Sequence, residues 1–311
     1  MILSVSRRTD IPNYYSDWFY ERIKDGYLYV RNPINIHQIS KININPDVVD
    51  CIVFWTKNPM PMMKRLDELN KYKYYFQFTL TGYGKDIEPN VPHKKNNMIS
   101  TFIELSNKIG KNKVIWRYDP ILINDTYTLE YHEKAFKQIA EQLHLYTNKV
   151  VISFIDLYTK TQRNTKDLSI KDISSSSMHE IAGIFSNIAK QYNLKIESCA
   201  EKVELSQYGI SHGSCIDKIT IEDIIGSKLI CDKDKNQRIE CGCVESIDIG
   251  TYNTCKNGCK YCYANFNDNK VIENSKLFDI NSPLLCSTIS EKDVINERNV
   301  KSIRDNQLSL F

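Results

Sequence analysis

The sequence predicts an α/β fold, a parallel sheet with crossover helices closing as far as a partial (β/α) barrel. Three observations lead there. Short apolar runs rich in β-branched and aromatic residues recur along the first 200 of the 311 residues. Longer stretches with helical periodicity separate them, the pattern of strand and crossover. Each apolar run ends in polar or charged residues, and in β/α barrels the site is built at the carboxyl ends of the strands.

The elements follow in order. The first strand, Ile2–Ser6, runs into SRRTD, and Ser16–Ile23 has a helical pattern. Cys51–Trp55 reads CIVFW and ends in TKNP; so continuous an apolar run suits a strand covered on both faces. After the helical stretch Met60–Leu69, the strand Tyr75–Leu80 ends in TLTGYG. Gly82 and Gly84 there fit either a backbone anion nest or an ordinary turn. The helix Asn97–Ile109 leads to Val114–Tyr118, which ends in RYDP. Leu129–Leu143 is the next helix, then Val150–Ile155, ending in FIDLYTKT. Met178–Tyr192 and Leu194–Ser198, with ESCAE at its end, complete the series. An open doubly wound sheet and a barrel both accommodate this order. Six polar strand ends carrying Arg, Lys, Asp and Glu favour a single mouth.

Composition permits an enzyme. A chain of 311 residues buries a sizeable core, and a formal charge of only +3 imposes no global basic field. No run of eighteen apolar residues exists, so no membrane span is expected, and MILSVSRRTDIP reads directly as structure. A cytoplasmic location is expected. There, ten cysteines point to metal or redox chemistry rather than disulfides.

The most informative of these lie in TYNTCKNGCKYCYAN, where Cys255, Cys259 and Cys262 are spaced C-x3-C-x2-C. Three thiolates are too few for a structural zinc, which takes four ligands. They suffice to hold three irons of a cubane cluster and leave the fourth open. Zinc with a fourth ligand from elsewhere is the alternative. The spacing, with Tyr261 before the last cysteine, resembles the signature of radical S-adenosylmethionine (SAM) enzymes. The resemblance implies a [4Fe-4S] cluster whose open iron chelates SAM, with Tyr261 by the adenine. It also implies an electron donor such as flavodoxin or ferredoxin.

In most proteins of that superfamily the triad follows the first strand, whereas here it follows Ser246–Gly250. A circular permutation accounts for this: Ser246–Gly250 is expected to lie parallel and next to Ile2–Ser6. GCKYCYAN resembles the cluster loop of the spore-photoproduct-lyase-like "DNA repair photolyase" branch. SRRTD, FWTKNP and IEPNVP resemble that branch's later segments in the same cyclic order. From SVSRRTDIP to CKYCYAN the chain resembles a bacterial family of unknown function with a C-terminal triad. No glycine-rich SAM motif follows the triad.

A second set, Cys199, Cys215, Cys241 and Cys243, offers four thiolates for another iron–sulfur cluster or a zinc. Cys51 reads as core, and Cys231 and Cys286 as non-ligands. Arg7, Arg8 and Asp10 are candidates for binding phosphate or carboxylate. Lys57 at its strand end is a candidate for substrate or the SAM carboxylate. Arg117 and Asp119 either pair with each other or hold the SAM ribose, and Thr79 is a further cofactor contact.

The chain therefore divides into a partial barrel over 1–200, a cysteine-containing segment over 201–245 and the permuted strand with its cluster loop over 246–265. A wrapping segment and flexible linker follow over 266–306. The last five residues, Gln307–Phe311, read QLSLF and resemble the peptide by which bacterial repair proteins dock on the DNA sliding clamp. The expected function is reductive cleavage of SAM for chemistry on DNA or a modified nucleotide. Modification of a peptide or small metabolite is a second reading, and a non-catalytic metal module recruited to DNA a third.

Overall fold

The apolar runs become parallel strands of one sheet in the computed structural model, which describes residues 1–157 and 159–305. In chain order the strands are β1 (Ile2–Val5), β2 (Tyr27–Arg31), β3 (Gln38–Asn43), β4 (Cys51–Thr56), β5 (Tyr74–Thr79) and β6 (Val114–Ile121). They continue with β7 (Lys149–Phe154), β8 (Lys195–Cys199), β9 (Ser211–Gly213), β10 (Ile247–Asp248) and β11 (Val294–Arg298). Eight form a sheet in the order β10-β1-β4-β5-β6-β7-β8-β9, every pairing parallel. The expected neighbour of β1 is present: Leu3 lies opposite Ile247 and Ser4 opposite Asp248. Among the described residues the two edges, β9 and β10, do not pair with each other.

From β1 to β9 the long strands follow one another across the sheet in chain order, and the helices between them collect on one face. Leu3, Phe54, Phe76, Trp116 and Ile152 point into that layer, where they meet Trp18, Phe102, Phe136 and Phe185. The contact is aromatic at its centre: Phe136 stacks on Phe185 at 3.9 Å and on Trp116 at 4.9 Å between ring centroids. Helix Leu129–Leu143 starts where Thr128 accepts a hydrogen bond from the Tyr131 N–H at 3.2 Å, an N-cap.

The opposite face alternates with the first, as a strand's period of two requires. Near its beginning it is apolar, with Ile2, Cys51, Val53, Tyr75, Ile115 and Val151, and residues 215–244 cover it. The segment over 201–245 thus supplies β9 and the helix Lys218–Ile225 whose Ile221 seals this half of the face. One residue pair further along the strands, Ser4, Gln77, Arg117 and Ser153 take the same side, and the face turns polar.

A second sheet, β11-β3-β2, has no counterpart in the sequence reading. β2 and β3 form an antiparallel hairpin, and β11 joins β3 in parallel. Where the sequence suggests wrapping segment and linker, residues up to 305 wrap back with a helix, Asp268–Lys276, and β11. They end beside β4, where Asp50 accepts from Ser302 Oγ at 2.6 Å and from Arg304 Nε at 3.1 Å. The clamp-like peptide Gln307–Phe311 lies outside the described residues. Among the described residues no helix is long and apolar enough to cross a membrane.

Candidate functional site

The polar half of this second face is the floor of a cavity of about 770 Å³ at the carboxyl ends of the strands. This volume lies in the range of small-molecule sites. All six strand ends singled out in the sequence contribute: Arg7 and Asp10 after β1, Lys57 after β4, Thr79 of β5, Arg117 and Asp119 of β6, Ser153 of β7 and Cys199 of β8. Seven of the ten cysteines line it, namely the triad and the second set.

The triad loop is stitched to the segment after β1. Asp248 accepts from Ser4 Oγ at 2.9 Å, Ser6 Oγ at 2.7 Å, Arg7 N–H at 2.8 Å and Gly250 N–H at 3.0 Å. Gly250 is obligatory there, because a Cβ would stand 1.9 Å from Ser6 Oγ. Tyr15 donates to the Thr254 carbonyl at 2.7 Å, and Thr9 and Thr254 hydroxyls are 2.6 Å apart. Asn257 Nδ2 donates to Asp10 Oδ2 at 2.9 Å, and Lys57 N–H donates to the same oxygen at 2.9 Å. Burial pushes the Asp10 carboxyl up despite these bonds. Asp10, expected as a cofactor ligand, is instead spent on the loop and on the N-cap of helix Ile11–Tyr14.

From the other side, residues 87–90 hold the loop. Lys260 N–H donates to the Ile87 carbonyl at 3.0 Å, and Asn90 N–H to the Asn257 carbonyl at 3.2 Å. Gly258, at φ +69°, turns the chain where a Cβ would stand 3.0 Å from Pro89 Cγ. Glu88 is fully buried and receives Lys57 Nζ at 2.7 Å, Thr81 Oγ1 at 3.1 Å, and contacts from Lys94 Nζ and Tyr261 Oη. Burial alone would raise its carboxyl; the two ammonium groups reverse this and hold it well below the usual carboxylate range. Lys57 is thus the half-buried partner of a buried carboxylate, with its ammonium 5.4 Å from the Tyr261 ring centroid. Neither Glu88 nor Lys94 was legible as part of the site. Glu88 shows only as the acid of IEPNVP, and Lys94 sits in a KK pair that resembles a solvated surface.

Arg117 and Asp119 pair with each other, and Ser153 donates to Asp119. Arg117 also reaches Cys215 Sγ with Nη1 at 2.8 Å. The guanidinium groups of Arg7 and Arg117 lie 5.8 Å and 5.4 Å from the Trp55 ring centroid. Arg8 lies over Tyr252 at 4.9 Å. The buried Nε of Arg7 has no hydrogen-bond partner among the described residues. The Gly82–Gly84 turn is no anion nest, since the Gly84 N–H is taken by Tyr127 Oη at 3.0 Å.

The second cysteine set converges as well. Cys199 and Cys215 sulfurs are 2.8 Å apart, and the thiols of Cys215, Cys243 and Cys241 lie near enough to bias one another's ionisation in turn. Ile216 N–H donates to Cys243 Sγ at 3.3 Å. Cys51 is buried in β4, and Cys231 and Cys286 do not line the cavity.

Does the triad fit a cluster? Its donor set is three thiols on one short loop facing one cavity. Backbone N–H groups of Asn257 and Asp10 face Cys255, and Asn265 N–H donates to Cys262 Sγ at 3.3 Å. Such bonds to sulfur are among the means by which proteins tune clusters. Among the described residues no three His, Cys, Asp or Glu side chains surround a single metal-ion position. A cubane does not require this, because each thiolate takes a different iron. The donor chemistry fits.

Fold and site together define a parallel α/β protein with a cysteine-lined cavity at the carboxyl ends of its strands. The chain belongs to the family described as Domain of unknown function (DUF1848), whose profile matches residues 2–264, from β1 through the third cysteine of the triad. No curated protein matches the chain. Among solved structures, it is similar to that of a protein from Bacteroides thetaiotaomicron VPI-5482 assigned as an alpha-L-fucosidase. The identity is 10%, with 54% of this chain and 77% of that one covered, at a TM-score of 0.29. So low a score carries no argument about fold or activity.

Proposed function

We propose that the protein is a radical SAM enzyme on a circularly permuted partial (β/α) barrel. The observation that carries this reading is the position of the C-x3-C-x2-C loop. It leaves β10, which lies parallel to β1, and enters the cavity at the strands' carboxyl ends. Cys255, Cys259 and Cys262 would hold a [4Fe-4S] cluster, which supplies an electron to the sulfonium of bound SAM.

The chain's own residues prepare that chemistry. Asp10, Thr254 and Asn257 fix the loop's backbone, so the three thiols face inward without large rearrangement. The Lys57–Glu88–Lys94 group holds Tyr261 at the rim by its hydroxyl. Burial pushes the Cys259 thiol up; within this group Lys57 favours the thiolate while Glu88 opposes it. Arg117 and Asp119 with Thr79 line the cavity too, and would offer the ribose of SAM donors and acceptors of both signs. Arg7 and Arg8 on the cavity lining favour an anionic substrate, whereas Arg238 there is paired with Asp156. This supports DNA or a modified nucleotide, with flavodoxin or ferredoxin as electron donor and the clamp-like tail as a recruiting element.

The test is anaerobic reconstitution with iron and sulfide, followed by reduction in the presence of SAM. The expected result is a brown protein that releases 5′-deoxyadenosine. Each of Cys255→Ala, Cys259→Ala and Cys262→Ala should abolish release and lower bound iron. A colourless protein that never cleaves SAM, or a single variant with wild-type iron and cleavage, overturns the reading.

A further inference from the structure

We propose that Cys199, Cys215, Cys241 and Cys243 form a second metal centre, a four-thiolate site separate from the triad and facing the same cavity. This inference does not rest on the SAM reading.

The four thiols come from three stretches of chain. Cys199 ends β8, Cys215 follows β9, and Cys241 and Cys243 sit on a turn. Three are buried and Cys199 is half-buried. Free cysteines serve as small apolar core residues, but that role does not bring four thiols to the wall of one cavity. The turn is tightly seated: a Cβ on Gly242 would lie 2.4 Å from Ser214 Oγ, next to Cys215. Donors already address the sulfurs, with Arg117 Nη1 on Cys215 and Ile216 N–H on Cys243. Such donors to ligand sulfur orient and tune thiolate centres.

Charge points the same way. Four thiolates around a divalent ion leave a net charge of about −2. Arg7 and Arg117 stand beside them, and among the described residues Arg7 makes no carboxylate ion pair and leaves a buried Nε unpartnered. Arg117 is already paired with Asp119, so the charge left over is that of half-buried Arg7, which forms no salt bridge with nearby Asp248 and which an anionic centre would offset. The sulfurs as they stand do not enclose an ion. With metal–sulfur bonds of about 2.3 Å, ligand sulfurs lie roughly 3.8 Å apart. Loading must therefore spread the Cys199–Cys215 pair from its 2.8 Å by about 1 Å.

The experiment uses the full chain with Cys255→Ala, Cys259→Ala and Cys262→Ala combined, so that any bound metal belongs to the second set. Zinc(II) alone, and iron(II) with sulfide, are the two probes. The expected result is about one zinc per chain, or iron with matching sulfide, and the more tightly held of the two names the centre. Adding Cys241→Ser and Cys243→Ser should weaken retention at least about tenfold. A folded triple variant that retains neither metal overturns the proposal, as does retention unaffected by the serine changes. Should the triple variant not fold, alkylation of metal-loaded wild type decides. All four cysteines should be protected until a chelator is added; equal labelling with and without chelator, or a Cys199–Cys215 disulfide in the anaerobic protein, overturns it.

Discussion

Asp248 accepts a hydrogen bond from Ser6 Oγ at 2.7 Å across 242 residues of chain. With the bonds from Ser4, Arg7 and Gly250, this carboxylate ties β10 to β1 and fixes where the triad loop begins. Hydrogen bonds to a charged group contribute about 1.5–3 kcal/mol each, less than additively. Asp248→Ala should lower stability by about 3 kcal/mol, read as a lower urea midpoint with unchanged slope. An unchanged midpoint would mean the β10–β1 junction does not depend on this residue.

Glu88, fully buried, neutralises two half-buried ammonium groups. Removing one partner of a buried ion pair costs about 3–5 kcal/mol, since the other charge remains. Glu88→Gln should destabilise by that amount, and Lys94→Met in the same chain should recover part of it. If the double variant is no better than the single, Lys94 is not the residue left stranded.

This network also marks the limits of the sequence. The strands of the large sheet were legible because their residues are apolar on both faces, as in CIVFW. The β10–β1 pairing was legible from the cyclic order of SRRTD, TKNP and the triad. β11 was not, because all five residues of VINER are exposed and show no burial pattern. β9 is three residues, SHG, with nothing apolar to signal it. The β2–β3 hairpin alternates around the loop NPINIH, outside the two-sided pattern of the main sheet. Arg117–Asp119 was legible because positions two apart on a strand share a face. The Glu88 ion pairs were not, because lysine and glutamate give no sign in sequence of being buried.

His132 supplies a pH test. It is fully buried, with Nε2 donating to the Leu122 carbonyl and Nδ1 accepting from Tyr118 Oη, both at 2.8 Å. Burial lowers its pKa to about 4. Between there and the ordinary value of about 6.5 the unfolded chain binds the proton and the folded chain does not. Stability from this group is therefore complete above about pH 6.5 and lost as pH falls toward 4, by about 3 kcal/mol in all. His132→Asn should flatten that stretch of the stability–pH curve. A curve of unchanged slope would assign the loss to other groups.

The tail is tested apart from the cavity. Deleting Gln307–Phe311 should remove binding to a bacterial sliding clamp and leave metal content unchanged. Leu308, Leu310 and Phe311 should dominate, since burying such a side chain is worth about 1.5–3 kcal/mol. Calorimetry of a Lys301–Phe311 peptide against purified clamp checks this. No heat and no competition at high micromolar peptide would remove the clamp from the account.

The pairing of β10 with β1 also sets an order of manufacture. A growing chain has β1 early, yet the strand that covers its open edge emerges only after about 240 more residues, some tens of seconds at ordinary synthesis rates. Until then Ile2–Val5, entirely buried in the finished protein, is an unpaired apolar edge of the kind that templates aggregation. Thr9, Asp10 and Glu88 likewise wait for the loop they will grip. The triad is among the last parts of the DUF1848 region to be made, directly after the strand that covers β1. Truncation before residue 246 should therefore yield an insoluble product rather than a smaller soluble domain.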